Sequence, residues 1–245
     1  MEYILIIIAG AAVVFAVMKV KKQRQQKSRQ KMLSDELARL KQMNVDLDVE
    51  GYIREEKRAM AYPENREILP TMQMNLVAAY INNAQTEEAV NCLKQMDSSA
   101  FPLDFQILYH HNMLFAKWMQ NERAFGEQLA ESWPLLQEHV DEVQWKPILK
   151  IIQVLNDLYT KNYDAAQQHI RELPPPNSNH AASLQDMLWV EINFQTGQRG
   201  KASALLDKMT QRQNFPIITA WIKQKRAELK NKGVKGEETK SEVSE

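Results

Sequence analysis

Asn75 to Met96 reads NLVAAYINNAQTEEAVNCLKQM. Leu76, Ala79 and Tyr80 recur at helical spacing before Asn82-Asn83, and Ala89, Leu93 and Met96 recur after it. The pattern predicts two helices, 64–83 and 86–96, folded back on each other across a polar turn at Ala84. Two helices that cross closely need a small side chain at the contact and larger ones on either side. Ala89 is that small residue. Thr86 is positioned as the N-cap, and Glu87-Glu88 supply favourable charge to the first turn. Cys92 lies mid-helix and reads as buried filler.

Outward from this pair the rhythm continues. Further helical patterns are expected at 103–119, 122–138, 142–160, 163–172, 180–196, 199–211 and 215–230. Breakers separate them: Asp97-Ser98-Ser99, Phe101-Pro102, Pro134, Pro174-Pro175-Pro176-Asn177 and Phe215-Pro216. No period-2 strand and no Asn-Gly or Asp-Gly hairpin turn occurs, so the expected class is all-α. Small residues repeat at matching places: Ala124 lies 35 residues after Ala89, Ala166 a further 42 and Ala202 a further 36. Around Ala166 stand Tyr163, Ile170 and Leu173. Around Ala202 stand Gly197 at the turn and Leu206 and Met209 beyond. The copy NMLFAKWMQNERAFGEQL has a polar turn but off-pattern small residues.

This hairpin pattern, at intervals near the family period of about 34 residues, resembles the tetratricopeptide repeat (TPR) over about residues 66–211. The resemblance implies an α-solenoid of about four hairpins, with PIITAWIKQKRAELKNK (216–232) as the helix that caps the open end. It also implies that the first helix of each hairpin lines a concave face. Matched copy by copy, that face holds Met74, Ala78, Ile81 and Asn82, then Tyr109, Met113 and Lys117, then Leu155 and Tyr159, then Met187, Glu191 and Phe194. Such a groove binds an amphipathic helix or extended segment of another protein. Members that clamp a C-terminal carboxylate use lysine and asparagine. Asn75 and Asn112 are present here, but Thr71 stands where a lysine is wanted, which argues against that activity. Of the five tryptophans (Trp118, Trp133, Trp145, Trp189, Trp221), most read as core, with one or two available to line the groove.

The N-terminal end carries a different message. Tyr3 to Met18, YILIIIAGAAVVFAVM, is sixteen residues without a charge. With lysine snorkelling at its end, it reads as one transmembrane helix within 1–20. A cleaved signal fits poorly, because only Met1 and Glu2 precede the apolar run. Lys19, Lys21, Lys22, Arg24, Lys27, Arg29 and Lys31 follow with no acid among them. The positive-inside rule then predicts a single-pass cell-membrane protein, N-terminus outside and C-terminal domain cytoplasmic. The first six of these basic residues are expected to contact anionic lipid headgroups. Ala12 and Ala16 offer a small-xxx-small face for a homodimer. Leu33, Leu37 and Leu40 continue as a juxtamembrane helix to about Met43, an interruption covers 44–48, and a short helix follows over 49–61 until Tyr62-Pro63. The expected divisions are 1–20 anchor, 21–63 basic juxtamembrane helix and linker, 64–230 helical repeats and 231–245 disordered tail.

Composition excludes several chemistries. The 245 residues hold 31 Lys+Arg and 31 Asp+Glu. Leaving out the first 31 residues leaves 24 and 30, a net of −6, which disfavours nucleic acid as a partner. Seven glycines and one cysteine argue against a glycine-cradled nucleotide fold, a disulfide framework or a multi-cysteine zinc site. His110 and His111 point about 100° apart on a helix and cannot chelate as an i,i+4 pair. Gly200-Lys201-Ala202-Ser203 lacks the first glycine of a phosphate loop, and no GxSxG is present. No catalytic residue, cofactor or metal is therefore expected. The function expected is a membrane-anchored scaffold that binds proteins, with structural self-association as the alternative and an unrecognised enzyme as the remote one.

Overall fold

The computed structural model describes residues 30–31 and 34–241. The chain divides between Ile68 and Leu69 into two compact units. Among the described residues there is no strand, and the class is all-α as expected. None of their helices is long and apolar enough to cross a membrane. The expected span at 3–18, the Ala12/Ala16 face and the lipid-contact residues Lys19, Lys21, Lys22, Arg24, Lys27 and Arg29 lie outside the described residues.

The first unit contains helix α1 (34–44), helix α2 (Val49–Met60) and a 3-10 segment, Pro63–Ile68. The interruption at 44–48 is where the reading put it. Leu47 adopts a left-handed conformation (φ 56°), and the Asp48 carboxylate caps α2 by accepting from the Gly51 N–H at 2.9 Å. Met43, Val49, Tyr52, Ile53 and Ala59 are buried. Buried with them is a polar cluster. Arg39 donates to Glu36 and to Glu56 (2.7 Å), and the Tyr52 hydroxyl reaches Glu36 at 3.4 Å.

The second unit is a row of helical hairpins: α3 (Leu69–Asn82) with α4 (Thr86–Lys94), α5 (Leu103–Gln120) with α6 (Glu122–Leu136), α7 (Lys146–Tyr159) with α8 (Tyr163–Arg171), and α9 (Asn179–Gln195) with α10 (Arg199–Thr210). Helix α11 (Pro216–Ser241) follows. The two helices of each hairpin pack together, and α3, α5, α7 and α9 lie side by side in that order. Sandwiched helices lose the one-sided pattern: α3 buries Met72, Met74, Leu76, Val77, Ala79, Tyr80 and Ile81, which lie all round it. Ala89, Ala166 and Ala202 are fully buried at their crossings, whereas Ala124 is only half-buried and Phe125 takes the inside position.

Three hairpins share one turn. Ala84, Lys161 and Gly197 each have a left-handed backbone, with φ of 60°, 60° and 76°. The next residue's N–H reaches back to a carbonyl five residues earlier: Gln85 to Tyr80 (2.8 Å), Asn162 to Asp157 (2.8 Å) and Gln198 to Asn193 (2.7 Å). This closure satisfies carbonyls that the helix end would otherwise leave without partners. The crossing alanine comes five residues after the left-handed residue in each case. The α5–α6 hairpin departs from this. Its single linking residue, Asn121, is extended (φ −175°) and caps α6 by accepting from the Ala124 N–H at 2.8 Å.

Several boundaries differ from the sequence expectation. The helix expected at 64–83 is a 3-10 segment up to Ile68 and an α-helix only from Leu69, with Pro70 in its first turn, where a missing N–H costs nothing. The helix expected from 142 begins at Lys146 for the same reason, with Pro147 next. Pro134 does not end α6, which continues to Leu136. Thr86 is the first residue of α4 and not its cap; Gln85 holds the cap position without a side-chain bond. Helix α11 extends past 230 to Ser241, through NKGVKGEETKS with its two glycines, where the sequence reading expects a disordered tail from 231.

Candidate partner groove

The C-terminal turns of α5, α7 and α9 converge, and α11 crosses beside them. Together they enclose a cavity of about 420 Å³. Each helix brings an aromatic or amide group to it: Trp118 and Gln120 from α5, Tyr159 from α7, Gln195 from α9, and Trp221 and Gln224 from α11. Phe125 and Tyr163 come from the second helices of their hairpins. The Tyr159 ring stands edge-on to Phe125, with centroids 5.8 Å apart, and remains 39% exposed. Gly126, one residue further along α6, gives that ring its room.

An ion pair lies at one side of the cavity. Lys225 Nζ is 2.9 Å from Glu191 and 3.1 Å from Glu228, and it sits 5.1 Å from the centroid of the Phe194 ring. Burial pushes the Glu191 carboxyl above its ordinary range, against the pull of Lys225 and a hydrogen bond with Trp221. Burial alone would lower the Lys225 ammonium. Glu191 and Glu228 outweigh it and hold the group charged, above its ordinary value.

The residues expected to line a concave face divide by whether they reach the cavity. Tyr159 and Glu191 line the cavity, together with Leu155. Met74, Ile81, Met113, Met187 and Phe194 are buried in the packed interior, and Ala78, Asn82, Tyr109 and Lys117 are half-buried away from the cavity. Trp118 and Trp221 belong to the five tryptophans of which one or two are expected at the groove, whereas Gln195 and Lys225 are in neither set. For Gln195 a signal existed: it stands two residues before the left-handed turn residue Gly197, as Tyr159 stands two before Lys161. For Lys225 there was none, because only packing makes the last helix a wall of the groove.

Four of the five histidines have hydrogen-bonding partners, while His180 stands edge-on to Phe215 and its buried Nδ1 has none. His110 shares a 2.8 Å hydrogen bond with Ser132, which is wholly buried and also accepts from Gln128. Burial lowers His110, despite the nearby Glu131 charge. His111 stacks on Phe115 and is pushed down to about 4 by burial. His169 pairs with Asp157 at 2.6 Å on the α7–α8 hairpin, beside Lys150, which bridges Asp141 (3.1 Å) and Glu172 (2.8 Å). Cys92 is half-buried in α4. Among the described residues no three His, Cys, Asp or Glu side chains gather in a way that could hold a metal ion. Comparison of the chain with protein-family models, curated proteins and solved structures gave no match.

Proposed function

We propose that this protein is a membrane-anchored scaffold of TPR-like hairpins, which holds a segment of another protein in the groove at the ends of α5, α7 and α9. The observation that carries this reading is the open, aromatic-walled cavity formed by Trp118, Tyr159, Tyr163 and Trp221. Aromatic side chains in a concave, partly wet site are the residues that anchor protein partners. The repeated turn and the buried crossing alanine favour the TPR-like reading of the hairpins. The uncharged run at 3–18 and its basic flank favour an anchor in the cell membrane, with the helical units on the cytoplasmic side and anionic headgroups beside residues 19–29. The reading is of a binding surface and not of a catalyst or a nucleic-acid binder.

The test is site-specific photo-crosslinking from position 159 in intact membranes. A discrete adduct with a second protein is expected, and it is lost when Trp118 is replaced by alanine. No adduct from 159, or an adduct that is indifferent to Trp118→Ala, removes the reading. Accessibility of the C-terminus to protease only after the membrane is opened tests the orientation separately.

A further inference from the structure

Helix α11 packs on α10 and also reaches α3, the helix at the far end of the row. It therefore runs across the groove instead of stopping at its edge. Its inward face is a stripe at helical spacing: Ile218, Trp221, Ile222, Lys225 and Leu229. Ile218 is fully buried, and Trp221 and Ile222 are nearly so. The one charge in that stripe is Lys225, which sits on Glu191 and over the Phe194 ring of α9. An amphipathic helix laid into a groove by apolar anchors and one buried cation is a mode of partner recognition, here made within one chain.

We propose that α11 is an internal occupant of the groove, and that the external partner is an amphipathic helix that displaces it and presents its own lysine or arginine to Glu191. This rests on the groove reading above and adds what the partner must look like: the wall that α11 supplies at Trp221 leaves with it, and Trp118, Tyr159 and Tyr163 remain to receive the partner. Glu191 is 8% exposed. A helix that takes the place of α11 covers that carboxylate again, and a buried charge left without a partner is strongly unfavourable. A competing helix with only apolar anchors leaves that penalty in place; one with a cation at the matching position removes it and regains the contact with the Phe194 face. One feature suits α11 to release: past Leu229 its sequence, KNKGVKGEETKS, has a single aliphatic side chain with which to bury apolar area.

The test uses the full chain and a fluorescein-labelled peptide of residues 214–231, NFPIITAWIKQKRAELKN, with a second peptide carrying the Lys225→Glu change. In the unaltered chain α11 competes, and both peptides bind weakly. In the Lys225→Glu chain, which sets a glutamate against Glu191, amide exchange over 217–229 accelerates at least tenfold. The lysine peptide then binds at least tenfold tighter than to the unaltered chain, and the glutamate peptide does not. A Glu191→Gln chain, nearly isosteric and without the charge conflict, loses the preference for the lysine peptide. Protection of 217–229 unchanged by Lys225→Glu, equal binding of the two peptides, or a lysine preference that survives Glu191→Gln overturns the proposal. A cross-link from 159 that persists alongside any of those results leaves the groove reading standing without it.

Discussion

A Cβ added at Gly126 of α6 would lie 2.2 Å from the Tyr159 hydroxyl oxygen and 2.5 Å from its Cζ. One missing methyl group therefore lets the tyrosine lie against α6 and form the cavity wall. Replacing Gly126 by alanine sets two effects against each other. Alanine gains about 1 kcal/mol of helix propensity, while the ring must swing away. The Gly126→Ala protein is expected to stay within about 1 kcal/mol of the original by urea unfolding, and to lose the partner adduct at 159. In a Tyr159→Ala background the same change stabilises by about 1 kcal/mol. A large loss of stability in that background would sink the argument.

The pH response of the first unit follows from Glu56. Its carboxyl is completely buried, and one oxygen has no hydrogen-bond partner. Burial, followed by the neighbouring Glu36 charge, pushes it up to about 7, against the pull of Arg39. An acid whose folded value is raised binds protons more readily folded than unfolded. Its stabilising contribution is present below the ordinary value of 4.5 and is lost as pH rises through about 7. Protection factors over 34–60, taken relative to the intrinsic exchange rate at each pH, should therefore fall across that interval. Glu56→Gln, which keeps a donor in place of the proton, should flatten the dependence.

The shared turn predicts opposite effects at equivalent places. Ala84 and Lys161 hold left-handed backbones (φ 60°) that side-chain-bearing residues adopt at a cost of about 1 kcal/mol. Ala84→Gly and Lys161→Gly are expected to raise stability by about 0.5–1 kcal/mol, and Gly197→Ala to lower it by about 1 kcal/mol. Denaturant midpoints that move the other way would show that the turns are not equivalent.

The crossing residues differ between hairpins. Ala89, Ala166 and Ala202 have no exposed surface, but Ala124 is half-buried. Enlarging any of the first three to leucine is expected to destabilise by about 1–3 kcal/mol or more through overpacking. Ala124→Leu should cost less than about 1 kcal/mol. Thermal unfolding of the four variants checks this order.

The helical class, most helix positions and the hairpin pairing were legible in residues such as Leu76, Ala79, Ala89 and Ala202, because spacing along a helix is a local property that neighbours in the chain determine. The turn at Ala84 was legible for the same reason. Depth was not. Met74, Met113 and Phe194 carry the same periodic signal whether they face a groove or another helix, so sequence spacing alone ranked them with Tyr159. Pro70 and Pro147 show a similar limit: proline ends one helix and opens the next by equivalent local rules. Spacing along the chain settles the set of helices, their order and their small-residue crossings. Long-range packing settles which turns converge, that Gly126 makes room for Tyr159, and that α11 crosses the groove with Lys225 on Glu191. Those are contacts between residues far apart in the chain, and their free energy exists only once the hairpins are stacked.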